Sequence, residues 1–156
     1  MEKTVKFEQY KLVKEHALAA VQAAGVSLPE AGSMNPVLLA YVGDVVFSLY
    51  VRLRFLAASS HVRVIHDLSS KAVSAVYQAK ALTALMDILN EQELAVVKRG
   101  RNTKSSVPKS ASVHEYRMST AFEALIGWLF LNNEDERLGT IMEQAFNIII
   151  DDFKTK

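Results

Sequence analysis

Two isolated acidic residues, Asp44 and Glu123, are the side chains of this sequence best suited to chemistry. Asp44 is the only acid in residues 31–66, and Glu123 is the only acid in residues 116–133. If both lie on helices, most neighbours three and four positions away are apolar or small, so we expect both carboxylates to project from largely apolar faces. A buried carboxylate costs roughly several kcal/mol unless it is protonated, paired or bound to a metal.

The residues alone do not decide how the two carboxylates are stabilised. In a structural role, each acid caps a neighbouring helix or pairs with an arginine; the candidates are Arg52, Arg54 and Arg117. In a catalytic role, both acids bind one divalent cation, which prefers oxygen ligands. Each acid shares its helix with a glycine, Gly43 or Gly127. Glycine in a helix costs about 1 kcal/mol relative to alanine, and close approach of two helices is a reason to tolerate it. We therefore predict a helix crossing that brings the carboxylates together.

The elements that position these acids are predicted to be helices throughout, which makes the fold class all-α. Amphipathic spacing predicts a first helix over 7–24, followed by a loop over 25–34. Asn35 and Pro36 predict the start of a nearly all-apolar helix that reaches residue 56, because asparagine caps free amides and proline suits the first helical position. The remaining predicted elements are an alanine-rich stretch after Ser69–Ser70 that forms one helix or two joined near Ala81, a helix between the Asn90/Glu93 capping pair and Gly100, a polar loop over 101–113, and helices over 114–132 and 135–151.

Bulk composition limits the classes of protein that this chain can belong to. Its 156 residues are 50% hydrophobic and 22% charged, which is typical of one globular domain rather than a disordered chain. The absence of cysteine excludes a disulfide framework, thiolate metal ligands and a cysteine nucleophile. The N-terminus shows no secretory signal, and the apolar run over 42–50 is too short to span a bilayer. We therefore expect a soluble cytoplasmic protein without a membrane partner.

Several ordered blocks of the sequence resemble the ribonuclease III family. The block LAYVGDVV at 39–46 resembles the family helix that carries a catalytic aspartate, and FEALIG at 122–127 resembles its second catalytic helix. With RGRN at 99–102 and YRMSTA at 116–121, the likeness extends to the Mini-ribonuclease III branch, which consists of the catalytic domain alone. It covers residues 35 to 131, about two-thirds of the chain. We therefore predict a helical N-terminal extension over 1–34 and a catalytic domain over 35–156.

The resemblance implies an all-α ribonuclease III fold, a homodimer, and Mg²⁺-dependent hydrolysis of double-stranded RNA that leaves 5′-phosphate and 3′-hydroxyl ends. It makes Asp44 and Glu123 both the catalytic residues and the metal ligands. The wider family has two further carboxylates where this chain has Ala40 and Thr120, so water and RNA phosphate oxygens would complete the metal shell. For this branch the implied substrate is the large-subunit (23S) ribosomal RNA precursor, with a ribosomal protein as a candidate activator.

A basic segment just before Glu123 is the candidate RNA-binding surface. Residues 98–117 contain a single acid, Glu115. An ordinary solvated loop can have this composition, but the position next to a catalytic glutamate favours phosphate contacts. Double-stranded RNA is recognised mainly through its shape, phosphates and 2′-hydroxyls, so such a segment would give affinity with little sequence preference. The predicted RNA-binding residues are Lys98, Arg99, Arg101, Asn102, Lys104, Lys109 and Arg117.

Other interpretations remain open at this stage. His66–Asp67 invites comparison with helical HD phosphohydrolases, but the other histidines give no clear set of ligands, and no Glu-x-x-His pair is present for a di-iron bundle. The main alternative is a ribonuclease III fold that has lost catalysis and serves as an RNA-binding or ribosome-assembly module, as Ala40 and Thr120 would suggest. The apolar helix over 36–56 fits either a dimer interface or a central core helix.

Overall fold

The computed structural model describes residues 2–103 and 112–155, with side chains from residue 11 onward. These residues form helices and no strand, which confirms the all-α prediction. The α-helices are α1 (Glu2–Ala23), α2 (Pro36–Phe55), α3 (Val62–Ala72), α4 (Ala75–Leu85), α5 (Glu91–Arg101), α6 (Val113–Leu131) and α7 (Asp135–Lys154). Short 3-10 turns occupy Ala31–Ser33 and Met86–Ile88.

Side-chain caps fix the starts of the helices that carry the candidate site. The Asn35 side chain accepts a hydrogen bond from the backbone N–H of Val37 at 2.9 Å, with proline at the first position of α2. The predicted capping box at the start of α5 is present, because Asn90 and Glu93 each accept a hydrogen bond from the other's backbone N–H at 2.9 Å. Such caps satisfy free amides of the first helical turn. Sequence reasoning therefore placed these two starts correctly.

Three predicted boundaries are wrong. Ser69–Ser70 lie inside α3 rather than before a helix, and the break in the alanine-rich stretch falls at Val73–Ser74 rather than near Ala81, which is fully buried within α4. Gly100 does not end α5, which continues to Arg101. A Cβ atom at Gly100 would lie 2.9 Å from the Cα atom of Ala121, so this glycine serves close packing of α5 on α6 rather than helix termination.

Helix α6 is the centre of the molecule. It packs against α2 along one side and against α4, α5 and α7 on the others, and most of its residues are buried. Phe122 of α6 meets Phe47 of α2 edge to face, with ring centroids 4.9 Å apart. The buried contact between two well-packed helices holds the functional residues that they carry in fixed relative positions.

The first helix is attached to this body by Lys14. Its ammonium group forms a buried ion pair with Asp135 at 2.9 Å, donates a hydrogen bond to the carbonyl oxygen of Phe130, and lies 4.3 Å from the centroid of the Phe130 ring. Leu12 and Val13 on the same helix are exposed. Lys14 therefore joins α1 to the turn between α6 and α7, where the ammonium group is shielded from water.

The apolar stretch of α2 is longer than the run over 42–50 that the sequence analysis considered. The helix Pro36–Phe55 has the length to cross a bilayer, and a window of it has a mean hydropathy of 1.5. One face of α2 packs against α6, and 28% of that window is buried in the structure.

Candidate active site

The two helices that carry the acidic residues cross at glycines. A Cβ atom on Gly43 would lie 1.8 Å from the carbonyl oxygen of Glu123, and a Cβ atom on Gly127 would lie 1.9 Å from the carbonyl oxygen of Leu39. Both obstacles are backbone atoms, so no side-chain movement could make room. Only glycine permits this spacing at either position, and the predicted crossing of the two helices is confirmed.

This crossing brings Asp44 and Glu123 together. Burial, the negative charge of Asp44 and a hydrogen bond to Asp44 together raise the pKa of the Glu123 carboxyl to about 8, against the lowering effect of a hydrogen bond from Ser119. Glu123 is therefore largely protonated at neutral pH. Carboxyl groups that share a site cannot both ionise easily without a compensating cation. The pair therefore has the electrostatics expected of a cation site.

Asp44 differs from Glu123 in its exposure. The Asp44 side chain is exposed, whereas Glu123 is half-buried. Asp44 does have apolar neighbours, but the expectation that its carboxylate is buried is wrong for the single chain. The reason is its place at the edge of the α2–α6 contact, between buried Gly43 and the exposed side chains of Tyr41 and Val45. Glu123 faces the protein interior, and Asp44 lies on the side of the site that solvent can reach.

The arginine pairing that the sequence left open does not occur among the described side chains. None of their basic groups lies within 4 Å of either acid. Arg54 instead donates to the Tyr50 hydroxyl at 2.8 Å and stacks over the ring of Phe146 at 4.6 Å. Among the described residues, the two acids therefore have no basic side chain as a partner, which is compatible with a site for a bound cation.

Neutral polar groups surround the two carboxyls. The Ser119 hydroxyl lies 3.2 Å from Glu123 Oε1 and 2.5 Å from Gln78 Oε1 on α4. The Ser48 hydroxyl lies 3.5 Å from Asp44 Oδ1. Sequence analysis did not identify Gln78 as part of the site. A single glutamine among the apolar and alanine residues of α4 was the available signal, because a buried amide needs a partner.

The carboxyl oxygens of Asp44 and Glu123 suit a hard divalent cation. No group of three or more potential ligands from Asp, Glu, His or Cys occurs among the described residues. Ala40 offers no donor, and the Thr120 hydroxyl donates to the carbonyl oxygen of Tyr116 at 3.1 Å. Two carboxylates with solvent access fit an ion such as Mg²⁺, which keeps several of its waters.

The predicted RNA-binding residues fall into three groups. Lys98, Arg101 and Asn102 are exposed at the end of α5, and Arg117 is exposed on α6. Arg99 is exposed too, but it donates a hydrogen bond to the carbonyl oxygen of Met34 at 2.9 Å and so links α5 to the start of α2. The remaining two, Lys104 and Lys109, lie outside the described residues. RNA binding by this set stays a prediction.

Comparison with known proteins identifies the family. The model of the ribonuclease III domain matches residues 38–134, which include α2 to α6 and both acids. The chain belongs to the ribonuclease III family. It is 46% identical over 117 residues to a Mini-ribonuclease 3 of Brevibacillus brevis, with 74% of this chain and 87% of the relative covered. It is 40% identical over 120 residues to a Mini-ribonuclease 3 of Staphylococcus aureus, with 74% and 90% covered.

A solved structure has a similar fold. The crystal structure of a Fusobacterium nucleatum protein resembles this chain with a TM-score of 0.70 and 26% sequence identity, over 74% of this chain and 96% of that protein. The ribonuclease III family consists of endoribonucleases that act on double-stranded RNA and generally use a divalent metal. The chain is accordingly an endoribonuclease of this type.

Proposed function

We propose that this protein is a Mg²⁺-dependent, cytoplasmic endoribonuclease that matures the large-subunit (23S) ribosomal RNA precursor by cutting double-stranded RNA. The catalytic part of this proposal rests on the closeness of Asp44 and Glu123 at the glycine crossing, together with the raised pKa of Glu123. The ribosomal substrate is supported by the likeness to the Mini-ribonuclease III branch. A ribosomal protein is a candidate activator.

The two acids have different roles in this proposal. Asp44, which is exposed, would hold the cation where the phosphodiester can reach it from solvent. Glu123 would be the second ligand and would lose its proton to solvent on binding. Mg²⁺ would supply activation of a water for hydrolysis and neutralisation of charge at the scissile phosphate. The surrounding Ser48 and Ser119 hydroxyls are placed to orient the two carboxylates.

A nuclease assay on a long RNA duplex tests this function. We expect Asp44→Asn and Glu123→Gln each to lower the cleavage rate by more than about 100-fold, since loss of an outer-shell partner alone costs about 10–100-fold, and EDTA to abolish cleavage. Asp67→Asn is the matched control, because Asp67 is an exposed acid on α3 beside His66. Full activity of Asp44→Asn, or of the wild type in EDTA, would reject the proposal.

Phosphate contacts by the basic end of α5 form the second part of the proposal. Lys98 and Arg101 are exposed there, and the helix C-terminus favours cations. Because Arg99 already holds the Met34 carbonyl, we assign the phosphate contacts to Lys98 and Arg101 first. Such contacts give affinity that falls with salt and depends little on RNA sequence.

We also propose a homodimer formed through α2. Its outward face carries a stripe of exposed apolar residues at steps of three and four, which makes one continuous surface along the helix. This stripe consists of Leu38, Tyr41, Val45, Leu49, Leu53 and Leu56. Large contiguous apolar patches on a soluble protein mark interaction surfaces. A two-fold axis through the stripe would place two sites on one duplex and allow both strands to be cut.

Sedimentation tests the dimer. Leu49→Glu, in the middle of the stripe, should convert the protein to a monomer. Val113→Glu is the matched control, because Val113 is similarly exposed, at 52% against 53% for Leu49, but lies on α6 outside the stripe. A wild type that sediments as a stable monomer at assay concentration would contradict the proposed dimer without touching the proposed chemistry.

An inactive RNA-binding module is the second candidate. The absence of carboxylates at Ala40 and Thr120 favours it, because two protein ligands hold a metal less tightly than four. The same cleavage assay decides between the two, since an inactive module would bind the duplex and leave it intact with Mg²⁺ present.

A further inference from the structure

We propose that Gln78 and Ser119 form a positioning pair that fixes the Glu123 carboxylate in the orientation it needs to share a cation with Asp44. This inference deepens the proposed function and rests on it. The pair acts through Glu123 and does not touch the RNA. It connects a buried helix, α4, to the site.

A continuous chain of short contacts supports this role. The Ser119 hydroxyl lies between Gln78 Oε1, at 2.5 Å, and Glu123 Oε1, at 3.2 Å. Gln78 is 1% exposed and Ser119 is 6% exposed, so water does not compete for these bonds. A buried amide without a partner costs free energy, and among the described hydrogen bonds the partner of the Gln78 amide is Ser119. The amide is thus held at one end of the chain and the carboxyl at the other.

The chemistry of glutamine explains why this residue suits the position. A serine hydroxyl has one proton, so Ser119 can donate to Gln78 or to Glu123 but not to both at once. When Ser119 donates to Glu123, its own oxygen can accept from a donor on the other side. A turn of the Gln78 amide presents its NH₂ group in place of its oxygen. The Gln78 amide therefore suits Ser119 whether the hydroxyl donates to Gln78 or to Glu123.

The surroundings of Glu123 leave this task to Ser119. Two hydroxyls lie one turn before Glu123 on α6, but that of Thr120 donates to the Tyr116 carbonyl. The other described partner of the Glu123 carboxyl is Asp44, whose charge repels it once both are ionised. A glutamate has three freely rotating bonds, so repulsion would turn it away from the site. The hydrogen bond from Ser119 opposes that rotation.

Magnesium binding without RNA tests the pair. The variants are Gln78→Met, which keeps the length of the side chain and removes the amide, Ser119→Ala, and the double variant. Calorimetric titration should show Mg²⁺ affinity about 10-fold weaker in each single variant. The double variant should be no weaker than the singles, because both act through one hydrogen-bond chain. The KM for RNA should be unchanged, and excess Mg²⁺ should restore most of kcat.

Ser69→Ala is the matched control, since Ser69 is also a buried serine, 3% exposed, and its hydroxyl has no hydrogen-bond partner in the described part of the chain. It should leave Mg²⁺ affinity unchanged. Unchanged affinity in folded Gln78→Met, or effects that multiply in the double variant, would overturn the positioning pair. If Gln78→Met does not fold, unchanged Mg²⁺ affinity in Ser119→Ala is enough to overturn the positioning pair. A wild type that binds no Mg²⁺ and cuts RNA in EDTA would instead refute the proposed function.

Discussion

The glycine crossing gives the most direct test of how this structure positions its site. Gly43→Ala adds one methyl group to α2 at the point where it touches α6. That methyl carbon would lie 1.8 Å from the Glu123 carbonyl oxygen and 2.8 Å from the Gly127 backbone nitrogen. Ordinary van der Waals contact begins at 3.4 Å, so the two helices must separate locally by about 1.6 Å, the difference between 3.4 and 1.8 Å.

This separation should cost both stability and activity. Overpacking of a core typically costs about 1–3 kcal/mol, and we expect the upper end because both obstructing groups are backbone. For a chain of this size, about 3 kcal/mol corresponds to a Tm lowered by roughly 6–12 °C. The same movement shifts Asp44 away from Glu123. A misplacement of about 1 Å in catalytic geometry can cost about 100-fold in rate.

Thermal unfolding followed by circular dichroism, at one fixed protein concentration, measures the first effect, and cleavage of duplex RNA well below the new Tm measures the second. Gly32→Ala is the matched control, because a Cβ atom there meets nothing within 4 Å. It should leave Tm and rate close to those of the wild type. If Gly43→Ala behaved like Gly32→Ala, the close crossing and its role in placing the acids would both be refuted.

Three further predictions concern charge. Mg²⁺ affinity should rise about tenfold between pH 7 and pH 9, because the pKa of Glu123 is raised to about 8 and its proton must leave before the cation binds; calorimetry that shows a flat profile would contradict this. Burial opposes ionisation of Glu93, but Arg137 and the backbone N–H of Asn90 together outweigh it and hold the Glu93 pKa below its usual 4.5. This part of the stability is therefore present above that pH and is lost as pH falls through the folded-state pKa. Urea unfolding from about pH 3 to 7 should show a weaker acid dependence in Arg137→Leu. Replacing Lys98 and Arg101 with glutamine should lower the salt dependence of RNA binding by about one unit of slope per residue, and an unchanged slope would remove them from the RNA surface.

Features of the site that depend on local residue types were predictable from the sequence. A glycine on the same helix as each isolated acid indicated a helix crossing. Glycine destabilises a helix relative to alanine, and the close approach of a neighbouring backbone explains its presence. The Asn35 and Asn90 caps were predictable for the same local reason, since each uses a side chain within three positions of the amide that it satisfies.

Features that depend on tertiary contact were not predictable. Gly100 has the same local context as a helix terminus, yet it lies within α5 because Ala121 of α6 packs against it. Gln78 lies 41 positions from Ser119 in the chain, so no periodicity could connect it with Glu123. The exposure of Asp44 likewise depends on where the contact between α2 and α6 ends, which helical spacing alone does not determine.

Helix α2 combines three functions, and its geometry explains why one acidic residue can lie in so apolar a segment. The face with Gly43 and Phe47 packs on α6, and the exposed stripe from Leu38 to Leu56 lies on another face. With 3.6 residues per turn, a residue next to Gly43 falls at the boundary between these faces. Asp44 therefore contacts Glu123 on one side and solvent on the other. A proposed dimer formed through the stripe would leave the two carboxyl pairs at the rim of the interface, where a duplex that crosses both subunits can reach them.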